Sequence, residues 1–312
     1  MKFFQIVPSD TNFDFIGKFR YFMALSILSL VGVVAGISTK GLNYGIDFTG
    51  GSVMQLKFSQ AQKTEEVRKV LEELNDKDAS VVALGKDNQE FLITSRTEHT
   101  TGTSPLNKRL VDKVGSDKVQ VLSVDIVGPK VGAELKQAAL LSLIYSVILI
   151  TIYIWMRFDL KFAPGATIAM VHDLLMATGF YLITGREFTI TAIAALLTIA
   201  GYSVNDTIVV YDRVREMYKR GGDGLPLAET INKAVNLTLS RTLLTSGVTL
   251  ISVLPLIVFT TGEIQSFAVA MCFGIFVGTY STIYIASPFT IYVQRWLEKR
   301  GDQPNRPRPV TA

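Results

Sequence analysis

Six stretches of this chain are too long and too apolar for an ordinary soluble fold. Hydrocarbon about 30 Å thick is spanned by about 20 helical residues. Residues 21–37, 138–156, 164–184, 188–211, 242–259 and 267–293 meet or approach that length. In lipid every backbone amide must find its partner within its own segment, so these stretches are expected to be helices. Composition agrees: 48% of the 312 residues are apolar and the mean hydropathy is +0.33. The first stretch follows Lys18 and Arg20, as a signal peptide would. Its long, partly acidic leader and the poor cleavage sequence Ala35-Gly36-Ile37 favour a retained span.

The net charge of +4 is informative through its placement. No Lys/Arg stripe interleaved with aromatics marks a nucleic-acid surface. Instead Arg157 and Lys161, then Arg213, Arg215, Lys219, Arg220 and Lys233, then Arg295, Lys299 and Arg300 fall in alternate loops. The intervening loops Gly185-Arg186-Glu187 and Thr261-Gly262-Glu263 are short and poor in base. The positive-inside rule therefore predicts both termini in the cytoplasm. Residues 1–20 are then a cytoplasmic lead-in, 21–37 the first span, 38–136 a large translocated segment, 137–294 the five remaining spans and 295–312 a basic tail. Pro304, Pro307 and Pro309 make that tail a poor candidate for packing. One cysteine, Cys272, excludes an intrachain disulfide and reads as an inert buried thiol.

The translocated segment carries the periods of a folded domain. Ser52 to Phe58 alternates as a strand, and Val67, Val70, Leu71 and Leu74 follow helical spacing behind a candidate cap at Thr64. Ser80 to Leu84 and Gln89 to Thr94 predict strands joined by a turn at Lys86-Asp87-Asn88. Ser104-Pro105 opens a second helix carrying Leu106, Leu110, Val111 and Val114, and Lys118 to Val127 closes as a strand. The order βαββαβ predicts a small α+β ferredoxin-like domain, which hosts many unrelated functions.

Within the spans a few polar residues stand out. Asp206, in "TIAGYSVNDTIVVYDRVRE", lies about 9 Å inside the end of the fourth span if that end is near Asp212. A charge at membrane depth costs roughly 2.5–3.5 kcal/mol even on the lenient insertion scale. Such an acid can glue helices, join a structural ion pair or carry a proton. Arg241 starts the fifth span at the same level, where its guanidinium can reach toward Asp206 or snorkel to the headgroups. Burial favours the protonated acid and a close guanidinium the ionised one, so a modest movement of Arg241 would switch Asp206. Asp173 is a second intramembrane acid, a candidate second relay or a structural group. Its neighbour His172 points about 100 degrees away along the helix, so one of the two is expected to face elsewhere. With only His99 besides, His172 has no metal constellation to join.

Ser203, Asn205, Thr207 and Thr245 are candidate hydrogen-bonding supports for a bound proton, or simply helix glue. Gly274-x-x-x-Gly278 permits close helix approach, and Pro164, Pro255 and Pro288 start or kink helices. No phosphate loop, nucleophile elbow or zinc spacing is present, and nothing points to an enzyme.

Four motifs in order, "YGIDFTGGS" from Tyr44, "GPKVGAELKQAA" from Gly128, "AGYSVNDTIVVYDRVRE" from Ala200 and "LSRTLLTS" from Leu239, resemble the SecF family of bacterial protein export. The resemblance runs from about Phe13 to Leu297. It implies an α-helical polytopic inner-membrane protein of six transmembrane helices, one RND-like half, with a ferredoxin-like periplasmic domain. It implies SecD as partner, SecYEG and YajC as neighbours, preproteins and membrane lipids as contacts, and no nucleic acid. It also implies no cofactor beyond the proton gradient, which would assist late translocation and release on the outer side. By match of motif, Asp206 and Arg241 lie at the proton path. In that picture Gly50, Gly51, Gly128 and Pro129 shape the membrane-to-domain turns. An RND-type exporter of small molecules or lipids is the alternative, and a passive scaffold locked by Asp206 and Arg241 a third.

Overall fold

The computed structural model describes residues 7–8, 11–74, 76, 79–84, 87–96, 106–158, 161–219 and 226–300. Lys86 in the predicted turn, the Ser104-Pro105 helix start, His99, Arg220 and the proline-rich tail lie outside the described residues. The first long helix, α1, covers Phe15–Lys40, and a single helical turn, α2, covers Ile46–Thr49. The inserted domain follows as β1 Gly51–Phe58, α3 Thr64–Glu73, β2 Ser80–Leu84, β3 Glu90–Ser95, α4 Leu106–Val114 and β4 Val119–Val127. Long helices return as α5 Pro129–Arg157, α6 Ala163–Thr184, α7 Ile190–Lys219 and α8 Leu227–Phe259. The last apolar stretch is one rod in three parts: α9 Gly262–Ser281, a π-helical turn at Thr282–Ala286, and α10 Ser287–Lys299. The described residues contain six helices long and apolar enough to cross a membrane.

The sheet runs β2-β3-β1-β4 with every neighbouring pair antiparallel, which is the split βαβ order. Period-two alternation sends Met54, Leu56 and Phe58 of β1 and Phe91 and Ile93 of β3 toward the helices. There they meet Val67 and Leu71 of α3 and Leu106 and Leu110 of α4 in one closed core. Thr64 is not the cap of α3. Lys63 holds that position without a side-chain bond, and Thr64 is the first helical residue.

In the bundle, α6, α7 and the last rod bury about half of their apolar windows, whereas α1, α5 and α8 bury 17% or less. The inner helices are rich in small side chains, which is how helices gain contact in lipid, where no hydrophobic force draws them together. The two glycines of the spaced pair fit against α7. A Cβ on Gly274 would stand 2.4 Å from Ile199, and one on Gly278 would stand 3.0 Å from Ser203 Cβ. Within this chain the glycine pair therefore serves the contact of α9 with α7.

One contact has no counterpart in the apolar pattern. Asn232 and Asn236 of α8 grip the entry to α1: Phe13 N–H donates to Asn236 Oδ1 at 2.8 Å and Phe15 N–H to Asn232 Oδ1 at 2.9 Å. Both amide nitrogens return a bond to the Phe13 carbonyl. The helix that carries Arg241 is thereby tied to the N-terminal entry of α1, at the end away from the inserted domain.

Candidate functional site

The deepest polar cluster is centred on Asp173, which is 0% exposed. His172 Nδ1 stands 2.9 Å from its Oδ1, while Ser203 of α7 and Ser281 of α9 donate hydroxyls to its Oδ2 at 2.5 and 2.7 Å. One carboxylate thus joins α6, α7 and α9, and both of its oxygens are occupied. The expected divergence of His172 and Asp173 does not occur. The imidazole folds back along the helix to reach its neighbour, and both side chains are buried. Ser281 precedes the π turn, where Thr282 shares a hydroxyl contact of 2.9 Å with Thr207 and Ser287 donates to the Thr282 carbonyl. Such single-turn interruptions are frequent at functional sites.

Asp206 contrasts with Asp173. It is 2% exposed, and its Oδ2 is enclosed with no hydrogen-bond partner. Arg241 is near enough for its charge to act on Asp206, yet among the described residues no ion pair joins them. The pair is unlatched in this structure. The expected supports do not serve Asp206 either. Ser203 turns to Asp173, and Thr207 bonds the Ser203 carbonyl and Thr282. Thr245 bonds the carbonyls of Arg241 and Thr242, and Asn205 is exposed. The physical reason is helical: residues one position from Asp206 face about 100 degrees away, and hydroxyls in a helix readily bond the preceding turn.

Polar groups also face outward at this depth. Thr198, Gly201 and Asn205 form an exposed stripe on α7, and Arg241, Thr245 and Ser252 form one on α8. A Tyr202 hydroxyl bond to Ser246 at 3.3 Å ties the two helices. The hydroxyls of Thr198, Thr245 and Ser252 bond their own helix, so Asn205 and Arg241 are the groups of these stripes that lipid tails cannot satisfy.

At the other end of the bundle the stems of the inserted domain are pressed together. Gly51, at φ 134°, pairs with Val127, and a Cβ there would stand 2.3 Å from the Ser95 carbonyl oxygen. Gly50, at φ 77°, lies against Pro129, and a Cβ on Gly132 would meet the Gly50 nitrogen at 3.0 Å. Gly128 adopts an ordinary extended conformation with open space around it, so nothing there demands glycine. Gly51→Ala is expected to cost about 1–3 kcal/mol from backbone strain alone, more than Gly128→Ala. Thermal unfolding of the two purified variants checks the order.

The domain is also latched to the loop between α6 and α7. Arg96, at the end of β3, donates to Asn43 Oδ1 at 2.6 Å and to the Tyr44 carbonyl at 2.9 Å. Asn43 donates to the Gly185 carbonyl, Gly45 N–H donates to the Phe188 carbonyl, and Asp47 accepts from the Ile190 N–H that begins α7. The half-buried Glu187 lies in the same loop. Burial raises its carboxyl above the usual value of 4.5, the Arg96 charge opposes that shift, and Glu263 and Asp47 add to it. The folded chain therefore holds more protons here than the unfolded chain, and stability falls as pH rises from about 4.5 through the raised value. Glu187→Gln is expected to flatten that limb of a melting-temperature profile and raise stability at neutral pH.

Spacing within one span could not reveal Ser281, Arg96 or the two asparagines. Their partners lie 108, 53 and more than 200 residues away. Their only sequence signal is a polar side chain in or beside an apolar run.

Six long apolar helices, an inserted split βαβ domain and buried acids on two neighbouring helices define a polytopic membrane protein of transporter type. The family model described as "Protein export membrane protein SecD/SecF, C-terminal" matches residues 107–296, and the SecD/SecF GG motif matches residues 35–62. The chain is 40% identical to a protein translocase subunit SecF of Calditerrivibrio nitroreducens, over 96% of this chain and 99% of that one. It is 41% identical to the SecF subunit of Magnetococcus marinus, over 92% and 94% of the two chains. The solved SecDF of Thermus thermophilus, a translocon-associated membrane protein, superposes with a TM-score of 0.80 at 36% identity. That match covers 91% of this chain and 39% of the solved one, so the chain spans well under half of that protein. The chain belongs to the SecF family of protein translocase subunits. It is a multi-pass membrane protein of the protein-export class.

Proposed function

We propose that this subunit lets the proton gradient assist a late step of protein translocation, with Asp206 as the group that gains and loses the proton. The observation that carries the reading is the enclosed, unpartnered oxygen of Asp206 beside an Arg241 that is near but not bonded. A scaffold would hold that pair closed. Here, among the described residues, no such bond forms. Asp173 is the second member of the path, linked to α7 through Ser203.

The exposed polar stripes of α7 and α8 are the seat for a second set of spans, supplied by SecD. SecYEG, YajC and the emerging preprotein complete the assembly, and lipids cover the apolar outer faces of α1 and α5. The protein sits in the bacterial inner membrane with both termini in the cytoplasm and the sheet domain outside, where preprotein release occurs. It uses the proton gradient and no cofactor, and binds no nucleic acid. A small-molecule exporter would need a cavity in the outer domain, and the sheet and its two helices close on a filled core instead.

The energy is sufficient. One proton crossing 100 mV supplies about 2.3 kcal/mol, and each pH unit adds about 1.4 kcal/mol. That biases a two-state rearrangement by roughly ten- to several-hundred-fold. Movement of α7 and α8 reaches the domain through two links. The asparagine grip acts on α1, and the Asp47 bond acts on the start of α7.

The reading is tested in vesicles carrying this subunit, its SecD partner and the channel, loaded with a preprotein arrested late in transit. The subunit is expected to speed release under a proton gradient, and an ionophore to abolish that gain. A gain that persists after the gradient has collapsed would contradict it.

A further inference from the structure

His172 is 3% exposed, its Nδ1 is engaged by Asp173, and its Nε2 is enclosed without a partner. Stranding a buried polar nitrogen destabilises a fold. A side chain that only had to hold Asp173 would need one donor, and that bond makes no use of the second ring nitrogen. What the imidazole adds is the capacity to take a proton at one nitrogen and release one from the other.

The surroundings fit that use. Two serine hydroxyls donate to Oδ2 of Asp173, and His172 Nδ1 faces its Oδ1. Among the described residues His172 is the only group in contact with it that can become a cation. Tyr280 of α9 lies 6.3 Å from the imidazole, ring to ring, with Tyr284 of the π turn behind it. Asp206 of α7 lies one turn beyond Ser203 and on the same face. α1 brings Ser26, whose hydroxyl meets Tyr280 at 2.8 Å, while α5 and α10 meet α6 through Thr151 and Thr290.

Resting on the reading of Asp206 above, we propose that His172 is a working member of the proton path, forming the chain His172–Asp173–Ser203–Asp206. A proton enters at Nε2 as the proton on Nδ1 passes to Asp173 Oδ1. Rotation of the carboxyl group carries that O–H to Ser203, whose own hydroxyl proton is released from its bond to Oδ2 and passes to Asp206. His172, Asp173 and Ser203 end with the proton counts they began with, His172 now carries its proton on Nε2, and Asp206 has gained one. The reverse sequence uses the same groups.

The sequence holds two histidines, so a His99→Gln chain labelled with nitrogen-15 histidine reports His172 alone. Assembled with its partner in vesicles, the ring is expected to pass between singly and doubly protonated forms as pH is scanned, with a midpoint that the nitrogen shifts read. Asp206→Asn is expected to displace that midpoint, which a purely structural clamp would not do. His172→Asn keeps a donor at the Nδ1 position and removes the titration. It is expected to lower gradient-driven proton flux about tenfold or more while leaving the melting temperature within a few degrees. A ring fixed in one form across the scan, or full flux in His172→Asn, would overturn the proposal. Full flux in His172→Asn with lost flux in Asp206→Asn retires His172 alone, whereas full flux in both retires the Asp206 reading as well. If His172→Asn does not fold, the nitrogen spectrum of the otherwise native chain decides.

Discussion

Asp206→Asn is expected to remove the gradient-driven part of export, a loss of about tenfold or more, while the chain folds and assembles normally. The structure explains why one atom should matter so much. Asp206 Oδ2 has no hydrogen-bond partner and Arg241 forms no ion pair with it, so the substitution breaks no bond seen here. What it removes is ionisation. Proteoliposomes containing the variant and its partner, assayed for preprotein release with and without an imposed gradient, separate the two effects. Release without a gradient should match the native chain, and the increment due to the gradient should vanish.

Asp173→Ala is expected to act on the fold first, lowering stability by about 2–4 kcal/mol. Its carboxylate collects His172, Ser203 and Ser281 from three helices, and removal strands His172 Nδ1 and the Ser203 hydroxyl while Ser281 keeps the Gly278 carbonyl. Hydrogen bonds in membrane interiors average only about 0.6 kcal/mol each. The larger figure therefore comes from the stranded donors rather than the lost bonds. Asp173→Asn, which keeps one acceptor oxygen, should cost less. Unfolding of the purified variants in detergent orders the two, and equal stability of Asp173→Ala and the native chain would exclude this role for the cluster.

Much of the architecture was legible before any coordinates, because hydropathy and alternation are local. The strand from Ser52 to Phe58 and the helix through Val67 and Leu71 needed only their own spacing. The place of Asp206 on a long apolar helix followed from the run of residues around it. Contacts between distant segments were not legible. Ser281 looks like any small residue of a packed helix until α9 is laid against α6, and the π turn at Thr282–Ala286 has no distinctive composition. Arg96 has the look of a solvent-exposed strand end, yet it fastens the domain to Asn43 and Tyr44. Of the four polar residues expected around Asp206, Ser203, Asn205 and Thr207 adjoin it in sequence and Thr245 adjoins Arg241. Helical geometry turned them to backbone carbonyls, to Asp173 or outward.

The central claim concerns one carboxyl group, and infrared difference spectroscopy observes it directly. Vesicles holding the subunit with its partner are switched between an imposed proton gradient and none, and the carbonyl stretch of protonated carboxyl groups is followed. A band that rises and falls with the gradient, is lost in Asp206→Asn and shifts in Arg241→Lys is the predicted result. A gradient-dependent band that survives Asp206→Asn unchanged, or no such band in the native chain, would contradict it.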